Sequence, residues 1–280
     1  MARYLTDDLL AHIMCYNPMF GVDDMVRYRH NTIVQVVFRL DFSQQLPFDS
    51  QSAREFFIRD YPIYEEIPAY ALDYVINRSE SGQISTQQKA TPYTIMIFTD
   101  RNNEVRLTVD RSFVGIDLFK YESFDSTKSV FFAAIDKLLS FEKLPTINRV
   151  ALRYINNIDM LQRGATEIGD YLALSLPDID LPSKGKRSDL QTDFVRSYFE
   201  KETVVDDYRI VCRTGYMNPD YPAPMRKHIY TLDYDAFVMG EVASYELKTY
   251  IDKLHAIIQT AYENHITDTQ RTRMEVITDE

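Results

Sequence analysis

The sequence contains no tryptophan, only two cysteines and only eight glycines among its 280 residues. Cys15 and Cys212 are too few and too far apart for a disulfide framework, and no CxxC pair offers a zinc site or a thiol-exchange centre. This usage is typical of a reducing interior, where both thiols behave as small buried hydrophobic groups. Asp7 and Asp8 interrupt the apolar stretch that a secretory leader would need, and no apolar run approaches the roughly 20 residues that cross a bilayer. We therefore expect a cytoplasmic protein that does not bind a membrane.

The glycine deficit argues against the common phosphate-binding motifs. Backbone N–H groups approach a phosphate closely where glycine removes the side chain, yet no GxG occurs in this sequence. Gly164 and Gly169 have the spacing of a P-loop, but Asp170 and Tyr171 follow where Lys and Ser or Thr are required. We therefore expect no P-loop or Rossmann site and no cofactor.

The histidines give no support for a metal site. None of them forms an HxH or HExxH pattern or a set with cysteine, and no GxSxG motif for serine hydrolysis is present. We expect each to be a surface or capping residue. The five are His12, His30, His228, His255 and His265.

The charge balance is acidic, with 31 Lys and Arg against 42 Asp and Glu, a formal net charge of −11. Nonspecific nucleic-acid binding needs a surplus of cations, so this balance disfavours it without excluding a local basic groove. The 20 tyrosines and 16 phenylalanines leave two interpretations open. Tyrosine can fill half-buried sheet positions, or it can build a partner surface.

Hydrophobic periodicity predicts strands alternating with a few helices. In residues 32–42, Val34, Val36, Phe38, Leu40 and Phe42 share one face of a strand, and Gln35, Arg39 and Asp41 share the other. The segment 79–91 is polar and predicts a mobile connection. Further strands are predicted at 68–78, 92–99, 104–110, 113–120, 147–159, 203–216 and 227–235, and helices at 7–15, 50–57, 125–141 and 244–265.

This order predicts an α+β fold, with a mainly antiparallel sheet and amphipathic helices packed on one face. Residues 92–141 and 204–265 both run from strands into a helix, which suggests two similar halves. We expect an N-terminal unit at 1–160, a connecting segment at 161–200 and a C-terminal unit at 201–280. One continuous domain is compatible with the same pattern.

Three segments carry a family resemblance: Val36–Phe42, Tyr121–Asp125 and Arg149–Ile158. Their order resembles a sporadically distributed family of uncharacterised bacterial proteins of similar length. That family has a Tyr-x-Ser-aromatic segment, a helix and an R-x-x-L-R-Y-I-N-x-I strand, and it usually carries Trp where this sequence has Phe124. The resemblance implies no activity or site residue. Its sporadic distribution is similar to that of bacterial antiviral defence and toxin–antitoxin genes.

The strand at 147–159 contains the main candidate binding residues. Alternation places Arg149, Arg153, Asn157 and Asp159 on the face of Ala151 and Ile155, and Tyr154 and Asn156 on the other. Two arginines on one face can hold a carboxylate or phosphate by paired hydrogen bonds. The alternative is structural, because Arg–Asp pairs across strands satisfy polar groups within a sheet.

A nuclease-like pattern occurs further along the chain. Asp233 and Asp235 precede Glu246 and Lys248, and metal-dependent nucleases use an Asp followed by Glu-x-Lys to hold Mg²⁺ and activate water. Their Glu and Lys must share one face of a strand. Here Glu246 and Lys248 open a predicted helix, where residues two apart point in nearly opposite directions.

Two functional hypotheses follow, beside a plainer third one, a homodimeric structural module joined through a sheet edge or the C-terminal helix. The first is a non-enzymatic protein-binding accessory or antitoxin- or immunity-like component of a bacterial defence system, with a heteromeric partner or a second copy of the chain. The second is a nucleic-acid or nucleotide sensor, or a metal-dependent nuclease, acting through the arginine and carboxylate candidates. The absence of catalytic motifs favours the first.

Overall fold

A computed structural model describes residues 26–47, 49–78, 84–141, 143–159, 172–173, 198–216, 218, 222–223 and 229–277. The predicted helix at 7–15 and most of the connecting segment at 161–200 lie outside these residues.

One antiparallel sheet of nine strands forms the centre of the fold, in the order β3-β4-β5-β6-β2-β7-β10-β9-β8. Strand β7 pairs with β2 on one side and β10 on the other, so the sheet runs continuously from the N-terminal into the C-terminal part of the chain. The expected α+β fold is confirmed. The nine strands are β2 (Ile33–Phe42), β3 (Ile63–Arg78), β4 (Ile84–Thr99), β5 (Val105–Val109), β6 (Phe113–Leu118), β7 (Ile147–Asp159), β8 (Phe199–Val205), β9 (Tyr208–Tyr216) and β10 (Ile229–Val242), and the pair β1 (Arg27–Tyr28) and β11 (Val276–Ile277) forms a separate two-stranded sheet.

The helices pack on one face of the large sheet, as predicted. In the described part of the chain they are α1 (Ser50–Phe57), α2 (Phe124–Phe141), α3 (Leu247–His265) and α4 (Asp268–Met274). Asp49 caps α1, since its Oδ1 accepts the Ser52 N–H at 2.9 Å. Phe131 of α2 stacks on Phe38 of β2 with ring centroids 4.3 Å apart. None of these helices combines the length and apolar character that crossing a lipid bilayer requires.

The core-facing row of the sheet crosses many strands without a break. Residues directly opposite one another on adjacent strands share a face, and here every member from β4 to β9 is buried. This row anchors the helices. Its members, in order, are Phe98, Leu107, Ile116, Phe38, Leu152, Ala236 and Ile210.

Three local predictions were wrong. Val34 is 42% exposed rather than on the core face, because the pairing of β2 with β7 shifts register between Ile33 and Gln35. The strand expected at 203–216 is a hairpin, since Asp206 turns the chain with φ of 53°. The segment 79–91 was expected to be a connection, but from Ile84 onward it is part of β4.

Strand β4 pairs with β3 without interruption from Ile63–Thr99 to Arg78–Ile84. Only Met96–Thr99 of β4 also pair with β5. Beyond Met96 the two strands therefore continue as a two-stranded ribbon, about 40 Å long at roughly 3.3 Å per residue. We call residues 67–78 and 84–95 the ribbon.

Candidate functional site

The face of β7 that turns away from the helices carries the predicted arginines. Val150, Leu152 and Tyr154 are buried toward the helices, so alternation directs Arg149 and Arg153 to the opposite face of the sheet. The question is whether these guanidinium groups are available to a ligand.

Arg153 binds Asp233 of β10 through two parallel hydrogen bonds. Its Nε donates to Oδ1 at 2.7 Å and its Nη2 donates to Oδ2 at 2.6 Å. Asp233 is only 4% exposed. The hydrogen bonds to this carboxylate raise the pKa of Arg153. Arg153 and Asp233 therefore form an internal ion pair with two hydrogen bonds, and removing Arg153 would leave the buried charge of Asp233 without this partner.

Arg149 lies between two carboxylates on neighbouring strands. Its Nη1 donates to Oδ2 of Asp41 at 3.1 Å, and its Nη2 lies 3.6 Å from Oδ1 of Asp235. The guanidinium also stacks over the Phe237 ring, 4.4 Å from the centroid. Asp41 in turn accepts hydrogen bonds from Arg39. Both predicted arginines therefore have carboxylate partners.

Arg213 of β9 completes this network, and sequence reasoning missed it. Its Nε donates to Glu200 at 2.7 Å, and its Nη1 lies 3.9 Å from Asp233 and 3.8 Å from Asp235. Burial raises the pKa of Asp235, and Arg149 and the other nearby arginines oppose that rise. Alternation had placed polar residues on this face, but only the register between strands reveals which charges meet.

Positive and negative side chains alternate across this face. Each of its four central arginines has a carboxylate partner in the structure, so a phosphate would have to displace a carboxylate that is already bound. We call the set the ion-paired face. It consists of Arg39, Asp41, Arg149, Arg153, Glu200, Arg213, Asp233 and Asp235.

The other two candidates on β7 lie near its C-terminal end. The Asn157 side chain accepts a hydrogen bond from the Thr231 hydroxyl at 2.9 Å, and its backbone N–H donates to the Thr32 carbonyl at 2.9 Å. Asp159, the last residue of β7, pairs with Ile229 at the start of β10. The Asn157 side chain therefore forms a hydrogen bond with the neighbouring strand β10.

The four nuclease-like residues are not brought together. Tyr234 faces α3, where its hydroxyl meets Nδ1 of His265 at 2.7 Å, so its neighbours Asp233 and Asp235 face away from α3. Glu246 lies at the start of α3 and accepts the Ala243 N–H at 3.3 Å. Lys248 follows in the first turn of α3, on the helix side of the sheet. The described residues also contain no cluster of His, Cys, Asp and Glu suited to a metal ion.

His255 was expected at the surface or at a helix cap, and that prediction was wrong. It is 7% exposed, stacks on Phe124 with ring centroids 3.7 Å apart, and its Nδ1 lies 3.2 Å from the Tyr154 hydroxyl. Burial, reinforced by Lys128, lowers the pKa of His255 to about 3. The imidazole is therefore neutral at physiological pH and serves the packing of α3. Phe124 supplies the aromatic surface for this histidine.

The ribbon is the second candidate, and it exposes apolar side chains to solvent. Tyr70 is 68% exposed and Leu72 is 54% exposed, both on the same face of β3. Ile67, on the other face, is 38% exposed. Residues 67–72 and 90–95 contain no charged side chain. An uncharged apolar surface of this kind is typical of a protein interface.

The backbone of the ribbon presents two free edges among the described residues. Asp100 N–H donates to the Val105 carbonyl at 3.0 Å, so even-numbered residues of β4 direct their backbone groups away from β3. The uninterrupted register makes the even-numbered residues of β3 point outward as well. Pro68 and Pro92 both occupy such outward positions, where the missing N–H breaks no hydrogen bond within the ribbon.

Sequence comparison adds no family to this picture. No protein-family model matches the chain, and no curated protein matches it in sequence.

Proposed function

We propose that this chain is a non-enzymatic protein-binding component, and that the ribbon is its main contact element. The sporadic distribution of the family that it resembles favours an accessory or immunity-like role in a bacterial defence system. The observation that carries the proposal is the uncharged, apolar surface around Tyr70 and Leu72, on an element that extends beyond the rest of the sheet.

A two-stranded ribbon that is exposed to water on both faces has little stability of its own. An isolated hairpin is marginally stable at best, because a third strand or a packed face is needed to offset the ordering of the chain. Tyr70 and Leu72 would each gain hydrophobic stabilisation if a partner covered them. A protein partner supplies both the apolar cover and the missing backbone pairing.

The alternative of nucleic-acid or nucleotide binding relies on Arg149 and Arg153. Both arginines are paired with carboxylates, and Asp233 and Asp235 place negative charge beside them. A phosphate would meet this negative charge and the desolvation cost of a broken ion pair. The arrangement therefore supports protein binding better than phosphate binding.

A ribbon-shortened variant tests the proposal. Ala69 lies directly opposite Tyr93, and both direct their backbone groups toward each other, so an Asn-Gly turn can replace residues 70–92. The full chain and this variant would each be used to capture proteins from a nuclease-treated lysate of the source organism. Circular dichroism and thermal unfolding check that the shortened variant retains the core.

We expect the full chain to recover a stoichiometric protein that the shortened variant loses. A second control, Arg153→Lys, alters the ion-paired face and should keep the partner. Recovery of the same protein by the shortened variant would show that the ribbon is not the contact element. A parallel capture from lysate left without nuclease provides the other arm: recovery of nucleic acid alone, lost in Arg153→Lys, would favour the sensor hypothesis instead.

A further inference from the structure

We propose that the distal part of β3 pairs with β3 of a second copy of this chain, in an antiparallel arrangement about a two-fold axis at Tyr74. The inference names one partner of the ribbon and so builds on the proposed function. The sheets of the two copies would join through their β3 edges, with the order β4-β3-β3-β4 across the interface.

The backbone groups of β3 that pair with no other described strand define the extent of this pairing. Pro68, which has no N–H, interrupts the row of outward donors, and the uninterrupted part beyond it ends at Arg78, the last residue of the strand. Outward positions between these limits run from Tyr70 to Arg78. An antiparallel pairing uses all of them only when Tyr70 lies opposite Arg78 of the second copy, and that register is centred on Tyr74.

Symmetry is built into this register. The contact between two copies of one antiparallel strand is isologous. If one residue of the first copy lies opposite a second residue of the other copy, the same two residues also lie opposite each other with the copies exchanged. Leu72 lies opposite Ile76 of the second copy, and Tyr74 lies opposite its own equivalent. The segment from Tyr70 to Ile76 is rich in aromatic and β-branched residues and contains one charge, which suits a paired strand.

The other edge of the ribbon is less suited to pairing. Residues 84–90 of β4 read Ile-Ser-Thr-Gln-Gln-Lys-Ala, and Gln88 and Lys89 are exposed. Lysine and other polar residues on a strand protect its edge against association. Pro92 removes a further outward donor. The strand β8, at the opposite end of the sheet, is short and carries Glu200, Lys201 and Glu202.

The net charge of −11 is compatible with this dimer because the contact lies far from the charged side chains of the rest of the large sheet and of its helices. Glu66, at the base of the ribbon, is eight residues from Tyr74, or roughly 25 Å at ~3.3 Å per residue. The bodies of the two copies would lie at opposite ends of the paired strands, roughly 50 Å apart. Screening at physiological salt acts over about 8 Å, so the repulsion between them is weak.

The size of the contact sets the expected strength. Nine residues of each β3 strand form the pairing, which supplies backbone hydrogen bonds but places the interface well below the roughly 1,200 Å² of standard complexes. Such small interfaces are typical of transient association. We therefore expect a reversible dimer with a dissociation constant in the micromolar range.

Two matched proline substitutions test the edge directly. Leu72 and Ala90 lie opposite each other in the ribbon, and the backbone N–H of each points outward on its own strand. Leu72→Pro removes an outward donor from the β3 edge and Ala90→Pro removes one from the β4 edge, while neither removes a hydrogen bond within the ribbon. Sedimentation velocity of the full-length chain, at concentrations that bracket the dissociation constant, measures dimerisation.

We expect the wild type and Ala90→Pro to dimerise equally, and Leu72→Pro to dimerise at least tenfold more weakly. Circular dichroism verifies that both variants remain folded, and Leu72→Lys provides a second change at the same edge without proline. A wild type that stays monomeric, or equal weakening by the two prolines, would overturn the inference. The proposed function would survive that result if the ribbon-shortened variant still lost its captured partner.

Discussion

The buried histidine His255 predicts a marked loss of stability in mild acid. In the unfolded chain a histidine titrates near 6.5, whereas burial lowers the pKa of folded His255 to about 3. Between these values the unfolded state binds a proton that the folded state does not. The free energy of unfolding therefore falls as the pH drops below 6.5, by about 1.4 kcal/mol for each pH unit until the folded-state pKa is reached.

The change in the free energy of unfolding between pH 7.5 and pH 5.5 follows from these pKa values. Moving from pH 7.5 to 5.5 crosses the unfolded-state pKa and covers about one unit below it, so His255 accounts for a loss of about 1.4 kcal/mol. His265, whose pKa burial lowers to about 4, accounts for a similar amount. The two histidines together predict that the wild type loses about 3 kcal/mol over this interval.

Urea unfolding at both pH values measures the difference. His255→Gln keeps a polar group near Tyr154 but cannot take up a proton, so this variant should lose about 1.4 kcal/mol less than the wild type. His265→Gln should behave alike, and the double variant should remove both contributions. The readout is the change with pH, so any constant loss of stability in a variant cancels. If His255→Gln lost as much stability as the wild type, the imidazole would not be a buried neutral group.

Three further perturbations test the sheet. Arg153→Ala should lower the free energy of unfolding by about 2 kcal/mol in urea titration; a fully buried pair would cost more, but the Arg153 side chain is 38% exposed. The solvent-exposed pair of Arg209 provides the control, and Arg209→Ala should change stability by less than about 0.5 kcal/mol. Phe38→Ala, at a fully buried site stacked on α2, should cost about 3 to 5 kcal/mol in the same assay, and a loss below 1 kcal/mol would contradict the packing. Burial raises the pKa of Asp235 in the folded state, so the free energy of unfolding falls as the pH rises from the unfolded-state pKa to the folded-state pKa. In urea titrations over this pH interval, the wild type should therefore lose stability relative to Asp235→Asn. A difference between the two proteins that does not change with pH would refute this reasoning.

Periodicity predicted the parts of the fold in which one face of an element is buried. The alternation in β7 separated Arg149 and Arg153 from Leu152 and Tyr154 correctly, because a half-buried strand repeats every two residues. It predicted the β3 half of the ribbon, as a strand at 68–78, but not the distal part of β4 that pairs with it. Residues 84–90 are polar on both faces, so no burial pattern distinguishes them from a loop, and only their pairing with β3 makes them a strand.

The candidate site was predicted in its residues but not in its arrangement. Arg149, Arg153, Asp233 and Asp235 were all singled out from the sequence, yet in two separate patterns, one for ligand binding and one for a nuclease. Strands β7 and β10 lie side by side, and their register joins the four residues into one ion-paired network. Pairing between strands far apart in sequence depends on the whole topology, which local patterns do not contain. The burial of His255 was not predicted for the same reason, because the residues that surround it belong to α2 and β7.

The position of β7 within the sheet has a consequence for the way the chain is made. Strand β2, which pairs with one edge of β7, is translated before β7. Strand β10, which pairs with the other edge, begins 70 residues after Asp159, the last residue of β7. At roughly 5–20 residues per second, this edge stays without its native neighbour for several seconds on the ribosome. Throughout that interval an interior strand of the finished protein is an open edge, with the aggregation hazard that such an edge carries. A chaperone that covers β7 during synthesis would therefore have its effect on yield in this window, before the C-terminal third of the sheet is in place.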